Sequence, residues 1–313
     1  MRNILITGGT GLIGMHLGLR LQEKGYKVTL LSRSARSGAL FPVIRWDPDL
    51  GKDITLALDQ ADGIIHLAGA HIGAKRWTPK RKQQILDSRV KTGSLLFDAI
   101  EQGRRKPTTF ISASATGYYG ALTADRVFDE RAPAHDDFLG HICLRWEESA
   151  DRFKSLGIRT IKLRTGIVLS RQGGALPRLS LPVRLGVGAP LGSGKQYMPW
   201  IHMEDLCGIF IHALENPSME GAYNAVAPEH ATNLEFTTRL AGELKRPLWL
   251  PHIPAWFMKL LFGEMSVMLL EGSRVSSEKI REAGYQFQFP ELSAALNHLF
   301  APPVSYKPPN THP

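Results

Sequence analysis

Hydrophobic and polar positions alternate between two textures through the first half of the chain. Ile4, Leu5 and Ile6 form a short apolar run, bounded by a glycine turn, that predicts a buried strand. Leu12 through Leu21 follows, with Leu17 and Leu21 at helical spacing. Strand-like runs recur at Lys27 to Leu31, Val43 to Trp46, Gly63 to Leu67, Thr108 to Ala113 and Ile158 to Arg164. Helical patterns lie between them, from about Pro79 to Gln102 and from Asp137 to Leu156. Strands separated by helices predict an α/β fold, a parallel sheet covered on both faces. Right-handed crossovers make it doubly wound, with a ligand crevice at the carboxyl ends of the strands.

After Arg164 the texture changes. Gly173, Gly174, Gly186, Gly188, Gly192 and Gly194, with Pro177, Pro182 and Pro190, predict a loop-rich insertion. Met203 to Leu214 returns to helix and Gly221 to Ala225 to strand. From Asn233 onward the pattern is mostly helical. Trp249, Trp256, Phe257, Met258, Met265 and Met268 there read as core-facing side chains rather than a binding box. Ala301 to Pro313 holds five prolines and is expected to be extended and mobile. The division expected is one unit from 1–165 plus about 198–226, a second lobe from 166–197 plus 227–300, and the Pro-rich tail 301–313.

The first turn, Thr7-Gly8-Gly9-Thr10-Gly11-Leu12-Ile13-Gly14, carries the first chemistry. Between a strand and a helix this spacing predicts dinucleotide binding. Gly8 permits the tight turn, Gly11 lets backbone approach a pyrophosphate, and Gly14 lets the helix pack close. The second strand then selects the cofactor. An NAD site would place an acid there to accept the ribose hydroxyls, but this strand ends Leu31, Ser32, Arg33, with Arg36 beyond. A hydroxyl and a guanidinium bind a 2′-phosphate that a carboxylate would repel, so NADP(H) is expected over NAD(H). Asp47 falls where an acid could meet the adenine amino group. Leu67, Ala68 and Gly69 are the small-residue strand end that backbone must share with the cofactor's ribose.

Composition narrows the picture. The 313 residues are 43% hydrophobic and 21% charged, enough to bury a large core. The formal charge of +9 is densest at Lys75, Arg76, Lys80, Arg81 and Lys82, around Trp77. No nucleic-acid motif accompanies that run, which reads as a solvated helix face or cofactor rim, so no nucleic-acid partner is expected. Cys143 and Cys207 make neither a disulfide framework nor a metal cluster. The longest apolar candidate, Ile253 to Leu270, is broken by Lys259 and Glu264, so no membrane insertion is expected. A strand beginning at residue 3 leaves no room for a signal peptide, and the expected location is cytoplasmic.

Several stretches together carry a family resemblance: TGGTGLIG, HLAG at 66–69, SASATGYYG at 112–120, LRTGIVL at 163–169 and WIHMEDL at 200–206. The chain resembles the extended short-chain dehydrogenase/reductase superfamily. More narrowly it resembles the YfcH-like epimerase family proteins, an atypical branch of the NAD-dependent epimerase/dehydratase group. The narrower likeness rests on AKRWTPKRK, DSRV, RWEE, GSGKQYMPWIH and LLEGSRVSSEKIREAGYQFQFPEL, and covers the chain to about Phe300. It implies a Rossmann-type doubly wound sheet with a smaller, mostly helical C-terminal substrate lobe. It also implies NADP contacts from the glycine turn, Ser32, Arg33, Leu67, Ala68, Gln84, Arg89 and Val168.

The superfamily's hydride chemistry uses a Ser or Thr with a Tyr and Lys four apart, the lysine lowering the tyrosine pKa from about 10. Ser114 matches the serine. Aligning the following helix on Glu147 puts Leu139 and Cys143 in the other two places; aligning on Phe138 puts Phe138 and Ile142 there. The active pair is absent. Three readings stay open: Tyr118 or Tyr119 supplies the proton; His141 and Arg145 act as a shifted pair; or the protein binds NADP(H) without turnover, as a sensor or scaffold. Arg184, Lys195, Tyr197 and His202, around the insertion, are candidates to line a pocket for a small polar or anionic substrate, with His202 more readily a core histidine.

Overall fold

The computed structural model describes residues 2–33, 40–46 and 54–301. In chain order come β1 (Asn3–Thr7), α1 (Leu12–Glu23), β2 (Lys27–Ser32), β3 (Val43–Arg45), α2 (Thr55–Asp59), β4 (Gly63–His66), α3 (Pro79–Gln102) and β5 (Thr109–Ala115). A 3₁₀ turn, Thr116–Tyr119, leads to β6 (Val127–Phe128), α4 (Phe138–Asp151), β7 (Arg159–Thr165), β8 (Ile167–Leu169), α5 (Leu176–Arg184) and β9 (Trp200–His202). Then follow α6 (Met203–Glu215), β10 (Gly221–Ala225), α7 (Asn233–Glu243), α8 (Ala255–Phe262), α9 (Val267–Leu270), β11 (Arg274–Val275), α10 (Glu278–Glu282) and α11 (Leu292–Phe300).

Seven of the strands make one parallel sheet in the order β10-β7-β5-β4-β1-β2-β3. Winding proceeds outward from β1 in one direction through β2 and β3, and in the other from β4. The helices that follow β1 and β4, α1 and α3, therefore pack on opposite faces of the sheet, and a crevice opens at the carboxyl ends of the two strands. Register aligns that edge: Thr7 lies opposite Leu31 and His66, and His66 opposite Ser112.

The period-two alternation of β1 serves two cores. Ile4 and Ile6 pack with Leu17, Leu21, Ile209 and Phe210, whereas Leu5 packs with Ile64, Leu96, Phe97, Phe110 and Phe153 on the opposite face. A third buried cluster joins Leu169, Leu176 and Trp200 to Phe236, Leu240, Leu292 and Leu296. The long helix α3 runs between the residues its pattern predicts. Thr78 caps it by accepting the Arg81 N–H at 3.2 Å, and Pro79 occupies its first position, where no N–H is needed.

Two expectations are corrected. The glycine- and proline-rich stretch after Arg164 contains a helix, α5, because Pro177 falls in its first turn, where proline is tolerated. The aromatic and Met stripe is not uniformly core. Met258 is buried, but Trp249 and Trp256 are 67% and 68% exposed and Phe257 is exposed too. The eight-residue α8 turns Met258 alone fully inward. The strands outside the seven-stranded sheet, β6, β8, β9 and β11, have two or three residues each and leave no period in the sequence. Among the described residues no helix is long and apolar enough to cross a membrane. Of the Pro-rich tail, residues 302–313 lie outside the described residues.

Candidate functional site

The crevice is built around backbone that admits no side chain. Gly8 has φ +66°, and a Cβ there would stand 2.9 Å from the Ala68 backbone, so the turn after β1 lies against the loop after β4. A Cβ on Gly14 would come within 2.5 Å of Gly9 Cα, so α1 seats directly on the turn. Gly11 forms the N-cap of α1, which has neither a capping side chain nor an acid in its first turn. Its leading N–H groups and positive end remain available for an anion.

Side chains rim this backbone. Thr10 Oγ1 and Ser32 Oγ share a hydrogen bond of 2.9 Å, tying the turn to the end of β2. Arg33 is exposed and, among the described residues, pairs with no carboxylate. Leu67 and Ala68 are half-buried, and the Ala68 N–H donates to Thr7 Oγ1 at 3.3 Å. Gly69 is exposed, and a Cβ on it would meet the Arg89 guanidinium carbon at 3.2 Å. Arg89 donates from Nη1 to the carbonyls of Ala70 and Ile85, 3.2 and 3.0 Å away, and stacks over Trp146. Burial brings its pKa down to about 10. Leu12 and Ile13 pack against the core from the start of α1. A Cβ on Gly174 would lie 3.5 Å from Leu12 and 3.6 Å from the Val168 carbonyl, so the chain after β8 passes over the turn. Gln84 is exposed and accepts from Arg81 at 3.4 Å. Asp47 and Arg36 lie outside the described residues.

Beneath β5 and β7 lies a different arrangement. Ser114, 3% exposed, donates to Glu147 Oε1 at 2.8 Å. Arg164 grips the same carboxylate with two hydrogen bonds, Nε to Oε1 at 2.7 Å and Nη2 to Oε2 at 3.0 Å, and donates to the Tyr119 hydroxyl at 2.9 Å. That hydroxyl in turn donates to Asn224 Oδ1 at 2.7 Å, and burial raises the Tyr119 pKa above its ordinary value. Tyr118 is half-buried, with the Arg164 guanidinium 3.4 Å from its ring centre. A cation thus stands beside Tyr118, which the residue spacing did not signal. The face of α4 toward the 3₁₀ turn presents Leu139 and Cys143 to Gly117, at 3.3 and 3.6 Å from its would-be Cβ. Burial pushes the Cys143 thiol up to about 12, so it carries no useful thiolate. His141 is exposed, and Arg145 is paired with Glu148 at 2.6 Å.

The four candidates around the insertion do not converge. His202 is buried, stacked on Phe289 and hydrogen-bonded to His298, and burial lowers its pKa to about 4. Tyr197 lies under Arg274, Arg184 faces Phe300, and Lys195 is exposed. Arg178, at the start of α5, was missed. It reaches back to the loop after β4 and donates to the Gly73 carbonyl at 3.4 Å, across a separation no sequence period marks.

A doubly wound parallel sheet with an uncapped glycine turn at its switch point defines a nucleotide-binding α/β protein. The NAD dependent epimerase/dehydratase family matches residues 4–226, and a domain of unknown function, DUF1731, matches residues 253–299. The chain belongs to the NAD dependent epimerase/dehydratase family. It is 39% identical over 303 residues to the epimerase family protein SDR39U1 of Homo sapiens, covering 95% of this chain and 99% of that one. It is 36% identical over 301 residues to the epimerase family protein YfhF of Bacillus subtilis (strain 168), covering 96% and 98%. The crystal structure of human SDR39U1 (isoform 2) with NADPH superposes with a TM-score of 0.87 at 37% identity, over 95% of this chain and 99% of that one.

Proposed function

We propose that the chain binds NADP(H) across the carboxyl ends of β1, β2 and β4 and serves as an atypical oxidoreductase or epimerase-like enzyme for a small polar substrate. The observation that carries this is that, among the described residues, no carboxylate pairs with the cations of the crevice rim. Ser32 and Arg33 close β2, Arg89 stands beside Gly69 without a carboxylate, and the glycine cradle leaves room for phosphate against backbone. The NADPH bound to human SDR39U1 supports it. Gly8, Thr10, Gly11, Leu12, Ile13 and Gly14 would hold the pyrophosphate, Ser32 and Arg33 the 2′-phosphate. Leu67, Ala68, Gly69, Gln84, Arg89 and Val168 would line the path to the nicotinamide, and Asp47 would meet the adenine. We assign 1–165 with about 198–226 to the cofactor domain and 166–197 with 227–300 to the substrate lobe, whose two segments the third buried cluster joins, with Met198 and Trp200 reaching in from the cofactor side.

Bound NADP(H) would supply or accept a hydride. Of this chain's groups, Tyr118 is the proton donor with the better geometry: its ring is half-buried over Arg164, while the Tyr119 hydroxyl is spent on Arg164 and Asn224. Fluorescence titration of the purified chain with NADPH and NADH tests the cofactor. NADPH is expected to bind roughly tenfold or more tightly, with Arg33→Ala erasing that preference. Equal or tighter NADH binding would refute it.

One observation favours a second reading, in which NADP(H) binds without turnover. The inner face of α4 carries Leu139 and Cys143 where hydride chemistry needs a phenol and an ammonium, and the Ser114 hydroxyl is given to Glu147. NADPH consumption across a panel of carbonyl compounds and nucleotide sugars separates the two. Consumption that Tyr118→Phe abolishes establishes the enzyme, and NADPH binding with no consumption across the panel favours the sensor.

A further inference from the structure

The loop after β4 is held by three arginines from three directions. Arg89 donates to the Ala70 carbonyl, Arg81 to the His71 carbonyl at 2.6 Å, and Arg178 to the Gly73 carbonyl at 3.4 Å. Arg81 otherwise reaches the Gln84 amide oxygen at 3.4 Å, and its Nε is buried without a partner. Among the described residues no carboxylate pairs with any of the three. Each guanidinium has five donors, so most remain unspent. His71 points the same way. Its Nδ1 accepts the Gly73 N–H at 3.2 Å, which puts the proton of the neutral ring on Nε2, free to donate. Burial, then the charges of Arg178, Arg81 and Arg89, hold this imidazole below its ordinary pKa, so all three cations act on one point. On the same surface Arg76 caps the Leu261 carbonyl at the end of α8, and Lys82 pairs with Glu264.

Carboxylate-free cations at the junction of the cofactor crevice and α5 fit an anion that comes and goes. We propose that Arg81 and Arg178, with His71, form a subsite for an anionic group on the substrate, a phosphate or a carboxylate. The assignment rests on the cofactor reading above for its neighbour, since the chain leading to α5 passes over Leu12 of the glycine turn. Two planar guanidiniums, from α3 and α5, would give the group bidentate contacts, and His71 Nε2 would add a further donor. Arg89, tied to Ala70, Ile85 and Trp146, faces the cofactor side.

The test uses the full chain at constant ionic strength. NADPH is titrated first; then inorganic phosphate and, separately, acetate are titrated into the NADPH-saturated protein by calorimetry. Phosphate or acetate is expected to bind, with the affinity falling roughly tenfold or more in the Arg81→Gln, Arg178→Gln double variant, while the NADPH Kd stays within about twofold. Arg178→Gln alone, at an exposed position with one long hydrogen bond, keeps the fold and is expected to lose at least roughly threefold. The anion that responds identifies the group: phosphate for a phosphoryl substrate, acetate for a carboxylate. Binding unchanged in Arg178→Gln, no binding of either anion, or phosphate displacing NADPH from the wild type would overturn the subsite. Failure of the cofactor reading appears separately, as an empty first titration, and the anion arms are then run on the NADPH-free chain.

Discussion

Polar side chains serve opposite ends along one edge of the same sheet. Around β1, β2 and β4, Arg33 and Arg89 pair with no acid among the described residues, α1 begins without a cap, and glycine removes the side chains that would close the space. On the adjoining strands, beneath β5 and β7, Glu147 and Arg164 are 4% and 3% exposed and are held by each other and by Ser114, Tyr119, Lys162 and the Glu130 carbonyl. Open valences mark a place for a ligand; closed ones mark a strut. A buried network of this kind holds only while complete, because losing one partner strands a charge in a medium that cannot solvate it.

Breaking the closed side gives the largest expected effect. Arg164→Met leaves the Glu147 carboxylate buried, with Ser114 as its close partner and Lys162 at 3.8 Å. Equilibrium denaturation should show a loss of about 3–5 kcal/mol. Adding Glu147→Leu should return much of it, since an apolar pair of similar volume replaces two charges. A loss under about 1 kcal/mol for Arg164→Met would mean water reaches the network and the contrast fails.

His66 stands between the two regions, opposite Thr7 on one side and Ser112 on the other. It is buried, bonded through Nδ1 to Thr7 Oγ1 at 2.7 Å, and its Nε2 has no partner. Burial pushes its pKa from 6.5 down to about 4. The unfolded chain therefore takes up a proton that the folded chain refuses as pH falls below 6.5. Stability from this group is full above that pH and is lost progressively toward pH 4, about 2 kcal/mol of it by pH 5. His202 adds a loss of the same sign. His66→Asn should start lower at pH 7 and fall less steeply to pH 5; an unchanged slope would mean the imidazole is solvated.

The open side was far more legible in the sequence than the closed one. Gly8, Gly11 and Gly14 sit at a spacing that backbone approach demands, and α3 is bounded by a cap and a proline that the residues themselves declare. The Glu147–Arg164 pair joins a helix to a strand 17 residues on, and nothing local requires it. Arg178 meets Gly73 across 105 residues, so only the fold brings them together. Trp256 is exposed because hydrophobicity gives a face and the short α8 does not bury all of one, and Trp249 lies in the loop before it, its indole N–H donating to the Gly186 carbonyl at 2.8 Å.

The smallest expected effect falls on Ser114, where the two halves of the edge come closest in meaning. By resemblance it is the serine that holds a substrate oxygen; by geometry its hydroxyl proton goes to Glu147 Oε1 at 2.8 Å. The carboxylate keeps both Arg164 hydrogen bonds in Ser114→Ala, so no charge is stranded. The expected loss is about 1.5 kcal/mol, well short of Arg164→Met. NADPH affinity should be unchanged, and any NADPH consumption found in the panel should persist within about twofold. A drop of roughly a hundredfold in consumption at wild-type stability would show the hydroxyl leaving Glu147 for substrate. The serine would then belong to the open side, and the boundary between ligand site and strut would run through β5 instead of beside it.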